Sequence, residues 1–324
     1  MTLPGTPDRV RQLSAMAILR QVWWQQYYAP DTGAQWREFA DLPPGSQRIQ
    51  TPYDCEARFS IKRDIEWTGY KAHLTEVCDG DRPHIITQVM TTVATIRDVS
   101  ALTPIHAVLA QRDLLPSVHS VDTGYTDAQE LLASQTRYGV TLCGPIGRDS
   151  SWQAKDPLTF DLTQFQIDWE AKQAICPQGH ASAKWIPHHD RHGNPAIRVT
   201  FRQKTCRGCP VREHCTHTAV AARGLSLRPQ EHHEALVGAR QHQRTGPFKQ
   251  QYARRAGIEG TISQAVRVSG MRQSRYIGLA KTHVPHVITA SALNLLRGSV
   301  WLAGQPQRQV QPSRFAALHS AAAR

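Results

Sequence analysis

At 324 residues the chain is long enough for two domains, or for one large domain carrying an insertion, with a core that needs no disulfide staples. Its net charge of +12 is uneven: from Arg198 onward there are 20 Lys and Arg against 4 Asp and Glu, a net +16, which leaves −4 for the first 197 residues. That asymmetry favours a polyanion partner, nucleic acid first, over an inert basic surface, while the lack of a signal-type apolar core or of a window near the roughly 18 apolar residues of a membrane helix argues against secretion or a membrane role and for a cytoplasmic, nucleoid-associated protein.

Residues 1–50 open with a predicted helix, VRQLSAMAILRQVWWQQYY, and turn Pro- and Gly-rich at DLPPGSQ, as a helix and linker would. In EWTGYKAHLTEV the apolar residues alternate as Ile65 and Trp67, then Tyr70, Ala72 and Leu74, with the phase slipping at Gly69, which predicts a strand with a bulge. HIITQVMTTVATI is rich in β-branched residues and suits a strand buried on both faces. From Asp98 the apolar positions Leu102, Ile105, Val108 and Leu109 take helical spacing; SVHSVD is a short strand, TDAQELLASQTRYG a helix and VTLCGP a strand. Counting the first strand segment, which starts near Asp54, the order strand, strand, strand, helix, strand, helix, strand fits an α/β sheet flanked by helices, with ligand sites at strand ends.

From 151 to 245 the periodicity weakens into a predicted β-rich insertion. Helical spacing returns over 246–303, most clearly in VITASALNLLRGSVWL, and the Gln-, Pro- and Ala-rich 304–324 reads as a disordered tail. The insertion holds Cys206, Cys209 and Cys215 in C-x2-C-x5-C spacing, preceded by Cys176 in CPQGH. Four thiolates suit a structural tetrahedral Zn²⁺, with His180 or His214 as a substitute fourth ligand and reduced free cysteines as the alternative. Cys55, Cys78 and Cys143 fall on strand-like segments and are expected to be small core residues.

Three acids sit where this layout places chemistry: Asp54 at the start of the first strand segment, Asp122 before a Gly turn at a strand end, and Glu259, the one acid among five arginines from Tyr252 to Tyr276. Carboxylates converging from such positions would form an all-oxygen site for Mg²⁺ or Mn²⁺. An Asp before a Gly turn is usually only a turn residue, and spacing alone does not select these three from 26 acids.

The segments YDCEAR, WTGYKAHLTE, VDTGYTDA, DWEAKQAICPQGH, CRGCPVREHCT, YARRAGIEGTISQAVR and MRQSRYIGLAKTH, in this order from about residue 50 to residue 302, resemble DDE-type transposases of bacterial insertion sequences, in the branch with a cysteine-containing insertion and a Tyr-Arg-Glu signature. The resemblance implies a ribonuclease H-like mixed sheet with flanking helices: its first part at 51–150, the cysteine-containing insertion at 151–245, and its last part at 246–303. It places the two metal-binding aspartates on Asp54 and Asp122 and the glutamate on Glu259, with two Mg²⁺ or Mn²⁺ ions. Tyr252 and Arg255 match the family's Tyr-x2-Arg-x3-Glu spacing; Val266 stands where its lysine is expected, and Arg267 one place later is the substitute.

The implied function is cleavage of phosphodiester bonds at transposon ends and strand transfer into target DNA, by a homodimer on DNA. Arg272, Arg275 and Lys281, with Tyr276 between them, mix cations and an aromatic ring as phosphates and unstacked bases require, the alternative being a solvated basic helix face. Lys71 and His73 fall near the active site only loosely, and His283 and His286 read as structural. Family members carry a longer N-terminal region than the residues preceding YDCEAR, so the chain is expected to be the catalytic portion, a fragment or a decayed copy. The reading from another class is a non-catalytic, zinc-stabilised DNA-binding protein derived from a transposase.

Overall fold

The computed structural model describes residues 8–29, 33–62, 64–147, 149–190, 193–218 and 220–304; the expected tail lies outside them. In chain order the elements begin with helices α1 (Asp8–Arg11) and α2 (Ser14–Gln26) and the short antiparallel pair β1 (Tyr27–Tyr28) and β2 (Gln35–Trp36). Trp23 stacks on Tyr27 and Tyr27 meets Trp36 edge-on, so aromatic packing closes this hairpin. The buried Gln25 ties the following linker down, donating to the Gln47 carbonyl and accepting from the Ile49 amide.

Strands β3 (Arg58–Lys62), β4 (Ile65–Glu76) and β5 (Ile86–Val93) form an antiparallel meander. Residues 65–69 of β4 pair with β3 and residues 70–76 with β5. The slip in the sequence at Gly69 is therefore a change of partner, made by a residue at φ +150°, where glycine is favoured; the irregular pairing falls instead between Thr75 and Glu76. A 3-10 turn leads into α3 (Leu102–Gln111), whose Leu102, Ile105 and Leu109 are buried as the helical spacing predicts. Burying each is worth about 1.5–3 kcal/mol.

Next come β6 (Val118–Ser120), α4 (Ala128–Tyr138) and β7 (Thr141–Cys143), a parallel βαβ unit. The Asp127 carboxylate accepts from the Glu130 amide at the start of α4, and Gly139 at φ +66° ends it. The following segment holds α5 (Trp152–Lys155), the hairpin β8 (Gln166–Asp168) and β9 (Gln173–Ile175), and the three-stranded antiparallel sheet of β10 (Lys184–His189), β11 (Pro195–Thr200) and β12 (Gly224–Leu227), with α6 (Gln203–Arg207) between the last two. Helices α7 (Gln230–His242), α8 (Gly246–Ala253), α9 (Ala256–Ser269) and α10 (Leu279–Leu302) complete the chain. Helical spacing over 246–303 did not foretell the break at 270–278, where Gly270 adopts φ +63° and Gly278 φ +90°.

Two compact units result. One comprises Met1–Leu114 and Ala253–Arg324, the other Leu115–Tyr252. In the first, α10 lies on β5, with Ile86, Ala265, Ala290 and Leu293 buried together. In the second, Phe165, Ala174, Val199, Phe201, Leu225 and Leu227 form the core. The architecture is mixed α/β; among the described residues β3–β4–β5 and β6–β7 pair as separate sheets, where the resemblance implied one mixed sheet.

Candidate functional site

Asp54 sits in the turn before β3. Its Oδ1 accepts from the Glu56 and Ala57 amides at 3.1 and 3.2 Å, closing the turn on itself. The Tyr70 hydroxyl is 2.9 Å from both carboxylate oxygens, and the Gly278 amide donates to Oδ2 at 3.1 Å. Glu56 accepts from the Leu279 amide at 2.5 Å. Two carboxylates from one turn thus hold the amino terminus of α10, whose first amides have no partner within the helix. Burial, then the hydrogen bond to Asp54 and its charge, raise the Tyr70 phenol above its ordinary pKa, so it stays a donor.

Glu259 lies in the first turn of α9, four residues after Arg255, whose Nη1 stands 3.1 Å from Oε1. The glutamate side chain is 70% exposed, so this pair adds little to stability.

Asp122, in the other unit, follows β6 by two residues and caps a 3-10 turn, its Oδ1 accepting from the Thr123 amide at 2.8 Å. The Val121 amide donates to the Cys143 carbonyl, prolonging the β6–β7 ladder up to the aspartate. Gly144 gives this loop its room: a Cβ there would stand 2.7 Å from Thr126 Cγ2 and 2.8 Å from both Val121 Cγ2 and the Val121 carbonyl oxygen. Among the described residues, no three His, Cys, Asp or Glu side chains are grouped so as to hold a metal ion.

The basic residues divide. Arg272, Arg275 and Tyr276 stand exposed in the loop before α10, and Lys281 is exposed in its first turn, so the cations lie on a loop and a helix start rather than on one helix face. Ser274 fixes the loop, accepting from the Tyr276 amide at 3.2 Å and lying 2.9 Å from Thr282 Oγ1. Arg267 returns to its own helix, at the Ser263 carbonyl, and Tyr252 stacks on Phe248. Lys71 is engaged by Asp98 at 2.9 Å, the buried His73 by Thr92, and His283 and His286 both by Thr91. These four hold their own unit together.

Cys176, Cys206, Cys209 and Cys215 are free, half-buried, and line one cavity together with His180 and Arg223. A tight turn presents Cys176, with the Gly179 amide donating to its carbonyl and Gly179 at φ +77°; α6 presents Cys206. Burial pushes the Cys215 thiol up, Arg223 opposes this, and the three neighbouring sulfurs add to the rise. Of the other cysteines only Cys143 is a buried strand residue; Cys55 and Cys78 are half-buried in irregular segments, which corrects their expected place. Unforeseen in the sequence were the cap made by Asp54 and Glu56 and a buried ion pair between Glu76 and Arg297, 2.8 Å apart. An acid at the end of a predicted strand was the one available signal for the pair.

Residues 175–297 match the family model described as transposase DDE domain. Over this segment the chain is similar to DDE-type transposases, a family that generally uses divalent metal ions, and the similarity suggests a transposition-related function with DNA as partner. The match takes in the four cavity cysteines, Tyr252, Arg255 and Glu259, and leaves Asp54 and Asp122 outside. No curated protein and no solved structure matches the chain. Among the described residues no helix is long and apolar enough to cross a membrane.

Proposed function

We propose that the chain is a DDE-type transposase of the insertion-sequence kind, catalysing metal-dependent cleavage of phosphodiester bonds at transposon ends and strand transfer into target DNA. The observation that carries this reading is the match over 175–297, which contains Glu259 as an exposed carboxylate at the start of a helix among arginines. Glu259 and Asp122 fit a hard divalent cation in chemistry and place, each being a carboxylate at the terminus of an element. Asp54, the third ligand by resemblance, fits less well, because four protein donors already occupy its two oxygens.

Bound metal ions would activate the attacking oxygen and stabilise the leaving one in an in-line displacement. The residues of the chain position the reactants. Arg255 holds the Glu259 carboxylate in place, while Arg272, Arg275 and Lys281 draw in the DNA backbone with Tyr276 beside them, as a stacking surface for an unpaired base. The cavity cysteines hold a structural Zn²⁺ in this reading, the catalytic parts lie at 51–150 and 246–303, and two copies act on paired ends. The second reading, a zinc-stabilised DNA-binding protein without catalysis, is favoured by one observation, the saturated carboxylate of Asp54.

The test is nicking of a labelled DNA duplex by the chain, Asp122→Asn and Glu259→Ala in Mg²⁺, Mn²⁺ and EDTA at low salt. Cleavage that needs metal and both acids, with DNA binding retained in the variants, supports the enzyme. Tight binding with no cleavage in any metal supports the second reading.

A further inference from the structure

Glu76, at the end of β4, has a side chain only 4% exposed, and it lies beneath the helix that carries Glu259. Arg297 of α10 donates from Nη1 to Glu76 Oε2 at 2.8 Å and to the His84 carbonyl at 2.6 Å, and from Nη2 to Thr261 Oγ1 at 2.6 Å. The Thr261 hydroxyl, on the inner face of α9, donates to Glu76 Oε2 in turn. One buried knot therefore ties a strand end and two helices of the same unit.

Such a pair is a poor source of stability, since removing two ions from water offsets most of their attraction. Its value here is directional. The inner face of α9 is Gly257, Thr261 and Ala265, spaced four apart, with Thr261 and Ala265 almost fully buried. Gly257 lets the helix approach closely, since a Cβ there would meet His84 Nδ1 at 3.2 Å and Glu76 Oε1 at 3.6 Å. A face this smooth resists separation but not rolling. The Thr261 hydroxyl, gripped by a carboxylate and a guanidinium, stops the roll.

Glu259 stands two residues from both Gly257 and Thr261, about 200° around the helix, so it faces away from the knot. We propose that Glu76, Thr261 and Arg297 are positioning residues that fix the rotation of α9 and thereby aim the Glu259 carboxylate. The proposal rests on the reading of Glu259 as a metal ligand. With side chains reaching about 5–6 Å from the helix axis, a roll of about 10° moves that carboxylate by about 1 Å. A displacement of about 1 Å is enough to cost about 100-fold in rate.

The experiment compares the full chain with Thr261→Val, which keeps the shape and loses the hydroxyl, Thr261→Ser, which keeps it, Arg297→Lys, which keeps the charge but not the two-pronged grip, and Glu259→Gln. Free Mn²⁺ is followed by electron paramagnetic resonance with duplex DNA present, alongside nicking rate, DNA affinity and melting temperature. Thr261→Val and Arg297→Lys should weaken Mn²⁺ binding about tenfold and slow nicking about 100-fold with DNA affinity unchanged, and Thr261→Ser should restore both. Wild-type Mn²⁺ binding in folded Arg297→Lys or Thr261→Val, while Glu259→Gln loses it, overturns the positioning role and leaves the metal-ligand reading intact. Wild-type binding in Glu259→Gln sinks that reading, and the positioning role with it. Should Thr261→Val fail to fold, Arg297→Lys decides alone.

Discussion

In the unit carrying Glu259, the interlinked polar side chains of Glu76, Thr261 and Arg297 are buried or nearly so, and the carboxylate proposed for chemistry is exposed on the same helix as Thr261. In the unit carrying the cysteines the arrangement is inverted: the thiols turn inward around a cavity beside the main core, with Arg223 among the residues that line it. A catalytic ligand has to meet DNA from outside, so its orientation must come from residues behind it. A structural metal site, as proposed for the cysteines, has to gather distant chain segments, so its ligands belong inside.

The contrast can be broken most forcefully at the cysteines. Cys206→Ser should remove bound zinc, measured by atomic emission, and lower the melting temperature of its unit by about 10 °C or more, a loss of a few kcal/mol. A zinc-free wild-type chain with the same melting temperature would leave the cysteines as core residues. Asp54→Asn separates cap from ligand. As a cap, its loss should cost about 1–2 kcal/mol by denaturant unfolding, with cleavage of the remaining folded chain unchanged. As a ligand, cleavage should vanish at unaltered stability.

Acid should act more strongly on the first unit. Burial lowers the pKa of His73, His106 and His286 there, with Lys71, Lys62 and His283 contributing and Asp98 opposing, against His233, beside Arg240 and Glu234, among the described residues of the second unit. A histidine with a depressed folded pKa takes up its proton more readily when unfolded, so its stabilising effect is present above about pH 6.5 and is lost as pH falls through the folded pKa. Amide exchange in β5, α3 and α10 should therefore accelerate below about pH 6.5 before it does in β11 and β12. The smallest effect belongs to the surface: Arg275→Gln or Lys281→Gln should each reduce the salt slope of DNA binding by about 1, uniformly across sequences.

Period and spacing made the meander, α3 and the βαβ unit legible, because each buries one face in a repeating pattern. They did not show which neighbour a residue meets. The slip at Gly69 looks the same whether the strand bulges or changes partner, and Asp54 looks the same whether its oxygens face a cation or the amides of Gly278 and the turn. Local spacing singled out the four cysteines; they line one cavity, but among the described residues they are not grouped as metal ligands. The Glu76–Arg297 pair was not, since its members are 221 positions apart.

The same long separations bear on synthesis. Asn294 of α10 bonds both the amide and the carbonyl of Ile86, at 2.8 Å each, so the meander is completed by a helix made after the whole cysteine-bearing unit. Emerging from a ribosome, the apolar face of β4 and β5 around Leu74, Ile86 and Val89 would wait through more than a hundred further residues for its cover. The second unit, continuous in sequence, can fold meanwhile, and the first is completed as a late step. A chain interrupted anywhere before α10 would leave that sheet face bare and open to association with its like.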